Sequence, residues 1–78
     1  MRDLSDLLEY ERITEIGKNC KAHLRPGGVG VVLVDDIPGR AERYKSKIEK
    51  RFPMLEVFEI VPGPVPEVTM LRIRRRVS

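Results

Sequence analysis

Cationic side chains dominate the chemistry that this chain can offer. Arg72, Arg74 and Arg76 recur at every second residue near its end, and Arg40, Arg43, Lys47, Lys50 and Arg51 recur at close to helical spacing. Alternate residues of an extended strand share a face at about 6.8 Å per step, so the first three form an arginine ladder. The other five fall within about 100° of arc on a helix. Either set could neutralise phosphates, giving salt-dependent binding with little base specificity. A guanidinium's planar fork suits phosphate well. The competing use is internal, because Glu56 and Glu59 could pair with Arg72 and Arg74 across a sheet while the helical cations are merely solvated. No aromatic residues interleave with these cations, which argues against stacking of single-stranded bases.

Other reactive residues offer less. Asp35 and Asp36 follow a hydrophobic run, where α/β folds place ligands, and could serve a metal or acid–base chemistry. Neighbours on a strand point to opposite faces, however, and Asp36 suits a turn or helix cap before Pro38. Cys20 and His23 stand three apart, but one Cys and one His do not make a zinc site. Cys20 reads as a small buried hydrophobe. With His23 as the only histidine, nucleophilic catalysis gains no support. The glycines of Pro26-Gly27-Gly28-Val29-Gly30 precede their strand, whereas phosphate-binding loops follow one. No catalytic residue, metal or cofactor is expected.

The elements that must position these residues are readable in turn. Leu4, Leu7 and Leu8 form one helical stripe, capped by Asp3 or Ser5, and Ile13, Ile16, Cys20 and Leu24 form another. The stripes point about 165° apart at 100° per residue. That opposition predicts a break near Tyr10–Arg12, a short strand over residues 12–16, or a helix covered on both sides, one of them by a partner chain. Leu24-Arg25-Pro26-Gly27-Gly28 ends the segment. Val29–Val34 is apolar without alternation, the mark of a strand buried on both faces in mid-sheet. Residues 40–51 form a helix that buries Ala41, Tyr44, Ile48 and Phe52 and ends at Pro53. Leu55–Val61 and Val68–Val77 are strands joined by a proline-rich connector. The last strand sets Thr69, Leu71, Ile73 and Val77 against Val68, Met70 and the arginine ladder. The expected fold is a small α/β sandwich of two or three layers, order α-β-α-β-β, with a three-stranded mixed sheet. Helix 40–51 lies on one face, with the N-terminal helical segments on the other or at an edge.

Composition bounds the rest. Seventy-eight residues make one domain, 1–78, with a marginal core. The net charge of +3 is uneven: residues 39–54 and 70–78 each carry +4, and residues 55–69 carry −3. A single cysteine excludes an internal disulfide framework and fits a reducing, cytoplasmic setting. The longest apolar run is too short to span a bilayer, and the acidic, polar N-terminus is unlike a signal peptide. No membrane partner is expected.

Two resemblances refine this picture. Leu24-Arg25-Pro26-Gly27-Gly28 followed by Val31-Val32-Leu33-Val34-Asp35-Asp36 resembles the second half of class I methyltransferases that use S-adenosylmethionine, where a helix, this turn and a strand precede a helix and a closing hairpin. That family's glycine-rich cofactor loop has no counterpart here, so the resemblance implies a half-sheet of Rossmann-like topology without methyltransferase activity. Residues 29–77, with Gly39-Arg40-Ala41 opening a helix and a basic last strand, look like the Alba family of archaeal DNA- and RNA-binding dimers. The functional expectation is a small non-enzymatic nucleic-acid-binding homodimer, with Arg40, Arg43, Lys47, Lys50, Arg51, Arg72, Arg74 and Arg76 as phosphate contacts. The alternative is a protein-interaction or assembly module, an oligomeric subunit using Leu4, Leu7 and Leu8.

Overall fold

The computed structural model describes residues 3–77; Met1, Arg2 and Ser78, at the ends of the expected domain, lie outside the described residues. The element order is α1 (Leu4–His23), β1 (Val29–Asp35), α2 (Arg40–Arg51), β2 (Leu55–Pro62) and β3 (Val68–Arg75), the expected α-β-α-β-β.

Helix α1 runs unbroken for 20 residues, without the expected break near Tyr10 or strand at 12–16. Asp3 caps it, its carboxylate accepting from the Asp6 N–H at 3.0 Å. No proline interrupts the segment, so the main-chain ladder continues and one of the two opposed stripes stays outside. Ile13, Ile16, Gly17 and Cys20 are buried, whereas Leu4, Leu7 and Leu8 are exposed. Gly17 is required by packing: a Cβ there would stand 2.1 Å from Cε2 of Phe52. Helix α2 has the expected bounds and buries Ala41, Tyr44 and Ile48. Phe52, just beyond it, is partly buried against the same core.

The strand order is β1-β3-β2, and both ladders are antiparallel rather than mixed. Strands β1 and β2 still run parallel to each other, but the crossover through α2 leaves a gap one strand wide, which β3 fills. The expectation that β1 lies in mid-sheet is therefore overturned, and β1 is an edge. Its apolar run reflects no double burial: Val34 is buried and Val32 half-buried, while Val29, Val31 and Leu33 are exposed. In β2 a register shift between Val57 and Glu59 makes a bulge at Phe58. That extra residue lets Leu55, Val57 and Ile60 pack inward while Glu56 and Glu59, three apart, both oppose outward-facing arginines.

Both helices lie on the same face. A single core joins Ile13, Ile16 and Cys20 of α1, Ala41, Tyr44 and Ile48 of α2, and Val34, Leu55, Val57, Leu71 and Ile73 of the sheet. The molecule thus has two layers, and α1 joins α2 instead of covering the other face. No helix among the described residues is long and apolar enough to cross a membrane.

Candidate functional site

The two basic elements do not form one patch. On β3, Arg72 and Arg74 stand on the open face of the sheet, opposite Glu59 and Glu56 of β2 and Val31 and Val29 of β1. Arg72 bonds Glu59 at 2.8 Å, and Arg74 lies 3.6 Å from Glu56. The Phe58 ring, brought to this face by the bulge, has the Arg74 guanidinium 4.2 Å and that of Arg72 5.9 Å from its centroid. Arg76 lies past the end of β3; its N–H bonds the Met54 carbonyl, and its charge acts on Glu49.

The helical cations belong to the other layer, and most of them turn towards α1. Arg43 and Lys47 both bond the Glu9 carboxylate, at 2.7 and 3.1 Å. Arg51 donates to the Tyr10 carbonyl and to the Thr14 hydroxyl, and its guanidinium covers the Tyr10 ring at 3.9 Å. Arg40 pairs with Asp35 at 3.4 Å. Lys50 makes no such contact among the described residues. The cross-strand pairing of Glu56 and Glu59 with Arg74 and Arg72 is thus present, and six of the eight expected phosphate contacts have a partner within the chain. Exposed pairs of this kind contribute little each, but a phosphate would have to displace them.

These pairs set the local electrostatics. Partial burial pushes the Glu9 carboxyl up, but the hydrogen bonds and charges of Arg43 and Lys47 outweigh it and hold the group below the usual carboxylate range. Glu49 behaves alike: burial raises it, and Lys45, the Val57 N–H and Arg76 bring it lower. Burial pushes the Cys20 thiol up; it is free and belongs to the core.

Asp36 accepts from the Thr69 hydroxyl at 3.0 Å beside an open cleft of about 580 Å³, formed by the β1–α2 loop and the proline-rich β2–β3 turn. Its partner Asp35 is held by Arg40, so each carboxylate has a structural tie. Cys20 is buried and His23 exposed, and no group of three or more metal-ligating side chains occurs among the described residues.

Several apolar side chains also stand open. Leu4, Leu7 and Leu8 are 69%, 47% and 58% exposed, and Val31 on the sheet is 53% exposed. Three structural roles were not apparent from the sequence. Arg75, on the inward side of β3, donates to the carbonyls of Lys21 and Leu24 and closes the end of α1. Lys45 and Glu49, one helical turn apart, together take the Val57 carbonyl and N–H at the outer edge of β2, each at 2.9 Å. Arg12 reaches the Leu33 carbonyl on the opposite edge of the sheet. The one available signal was the i,i+4 spacing of Lys45 and Glu49. Neither a protein-family model, nor a curated protein, nor a solved structure matches the chain.

Proposed function

We propose that this chain is a non-enzymatic assembly module, a cytoplasmic subunit that completes its packing against another protein surface. The observation that carries the reading is the bare leucine stripe of α1. Leu4, Leu7 and Leu8 stay in water on a helix whose opposite stripe is buried. The uncovered sheet face adds Val29, Val31 and Leu33 to the same account. Several exposed apolar groups on so small a domain are the usual footprint of a contact surface. The methyltransferase resemblance supports this reading, because a half-sheet has one edge and one face that other elements would cover.

Nucleic-acid binding is the second reading, and the Phe58–Arg74–Arg72 stack on the open sheet face favours it. The Alba resemblance points the same way. Against it stand the internal partners of the cations and their division between two sides of the molecule.

One experiment separates the two. The protein is sized by sedimentation from about 1 to about 100 μM, then titrated with labelled duplex and single-stranded oligonucleotides at two salt concentrations. The assembly reading expects self-association, or capture of a specific protein that Leu7→Glu with Leu8→Glu abolishes without loss of helix signal. Micromolar or tighter oligonucleotide binding that falls steeply with salt and weakens equally for all sequences in Arg72→Glu/Arg74→Glu would replace it with the second reading.

A further inference from the structure

We infer that the free edge of β1 is a contact of the assembly separate from the leucine stripe, and that its occupant is β1 of a second copy, paired antiparallel to make one continuous six-stranded sheet. This deepens the assembly reading and rests on it.

The two edges of the sheet differ. At β2 the outward main-chain groups of Val57 are occupied by Glu49 and Lys45, and the strand ends at Pro62, which has no N–H to offer. Since Val57 turns its groups outward, its partner Ile73 turns its own towards Gly30 of β1. By the same alternation Val29, Val31 and Leu33 turn theirs to the free edge. Leu33 bears this out, its carbonyl accepting from Arg12 at 3.3 Å. Among the described residues no other main-chain group on that side is bonded by a side chain. A groove of about 370 Å³ runs beside it, with Arg12, Asn19, Cys20 and His23 of α1 on one wall and residues 30–33 on the other.

Three features select a second copy. Residues 29–34 carry no charge and no proline, so an antiparallel copy centred on Val31 meets no like-charge opposition. Such pairing sets the Asp35–Asp36 end of β1 beside the partner's 25–28 turn, which carries Arg25. With the β2 edge blocked at Val57, kinked by the bulge at Phe58 and ended by Pro62, β1 is the longer usable edge, and pairing through it closes as a two-fold dimer. The contact is a short strand plus Val29, Val31 and Leu33 on the open face. It lies at the small end of stable interfaces, so the dimer is expected to be weak and to depend on concentration.

The test is sedimentation equilibrium of the whole chain alongside Val31→Pro, which removes an outward N–H that no intrachain bond uses, and Val31→Lys. Wild type is expected at twice 9.0 kDa, and both variants at the monomer mass with an unchanged circular-dichroism spectrum. The amide of Val31 is expected to exchange more slowly as the dimer fraction rises. A dimer that persists in both folded variants overturns the edge and leaves the assembly reading standing on the leucines. A wild type that stays monomeric overturns the dimer. Should both variants unfold, an unprotected Val31 amide in a dimeric wild type overturns the edge by itself.

Discussion

The ring of Phe52 lies flat against the backbone of Gly17, so that the residue just past the end of α2 locks into the middle of α1. A Cβ at Gly17 would stand 2.1 Å from Cε2 and 2.3 Å from Cδ2 and Cζ. An exposed helix interior gains up to about 1 kcal/mol from glycine to alanine. Here the ring must move or the helices must part, and overpacking of this kind costs about 1–3 kcal/mol. Gly17→Ala is therefore expected to lower the urea midpoint despite its better helix propensity. Phe52→Leu, which clears the space, should make the same alanine neutral or stabilising. Two additive changes in a double-mutant cycle would show that ring and glycine do not couple.

Glu9 and Glu49 make stability depend on acid in a defined direction. Both carboxyls are held below their ordinary range in the fold, Glu9 by Arg43 and Lys47 and Glu49 chiefly by Lys45 and the Val57 N–H, in each case against the opposing effect of burial. The unfolded chain then binds protons first as the pH drops. Their contribution is complete above the unfolded glutamate value of about 4.3 and is lost as the pH falls through the lower folded values. Thermal melts between neutral pH and pH 3 should show this fall, and Glu9→Gln should flatten part of it. A fall of equal size in Glu9→Gln would assign the effect to other carboxylates.

Most of the fold was legible because hydrophobic period is local information. Helix α2 has the predicted bounds, and its stripe of Ala41, Tyr44 and Ile48 is buried as its spacing demands. The strand order was not legible, because Val29–Val34 is equally apolar whether other protein or water lies over its outer face. Only the pairing of Val31 with Arg72 and of Glu59 with Arg72 shows that β3 takes the centre. The cation set was legible as residues but not as a site. Sequence spacing identifies Arg43 and Lys47 as one helix face; that this face meets Glu9, 34 and 38 residues away in the chain, is a tertiary fact. The bulge at Phe58 is of the same kind, one extra residue that reconciles Glu56 and Glu59 on one face.

Arg75 is the residue whose role most departs from its charge. Its Nη1 donates to the Lys21 and Leu24 carbonyls at 2.8 and 2.9 Å, tying the last turn of α1 to the end of β3. Hydrogen bonds from a charged donor contribute about 1.5–3 kcal/mol, and an uncapped carbonyl pair is left if they go. Arg75→Met, which keeps the stem but removes the fork, is expected to cost about 1–2 kcal/mol in chemical denaturation. The salt dependence of any oligonucleotide binding should stay as it was. A drop in that dependence with no loss of stability would move Arg75 from the helix cap to a ligand surface.

Glu49 guards the second edge of the sheet, and its removal has a consequence opposite to that of most destabilising changes. Its carboxylate takes the Val57 N–H while Lys45 takes the Val57 carbonyl, which leaves that position of β2 nothing to offer a neighbouring strand. Glu49→Ala frees a main-chain donor at an edge that already presents the bulge. The expected cost is about 1–3 kcal/mol for the lost acceptor. If β1 also pairs with its copy, each subunit then has two usable edges, and association no longer closes at two. Light scattering should therefore show growth with time and concentration in Glu49→Ala but not in Glu49→Gln, whose amide oxygen can still accept from Val57. Adding Val31→Pro to Glu49→Ala should stop the growth, because it withdraws the other edge. Growth that ignores Val31→Pro would mean that the unfolded chain, not the paired edge, drives it.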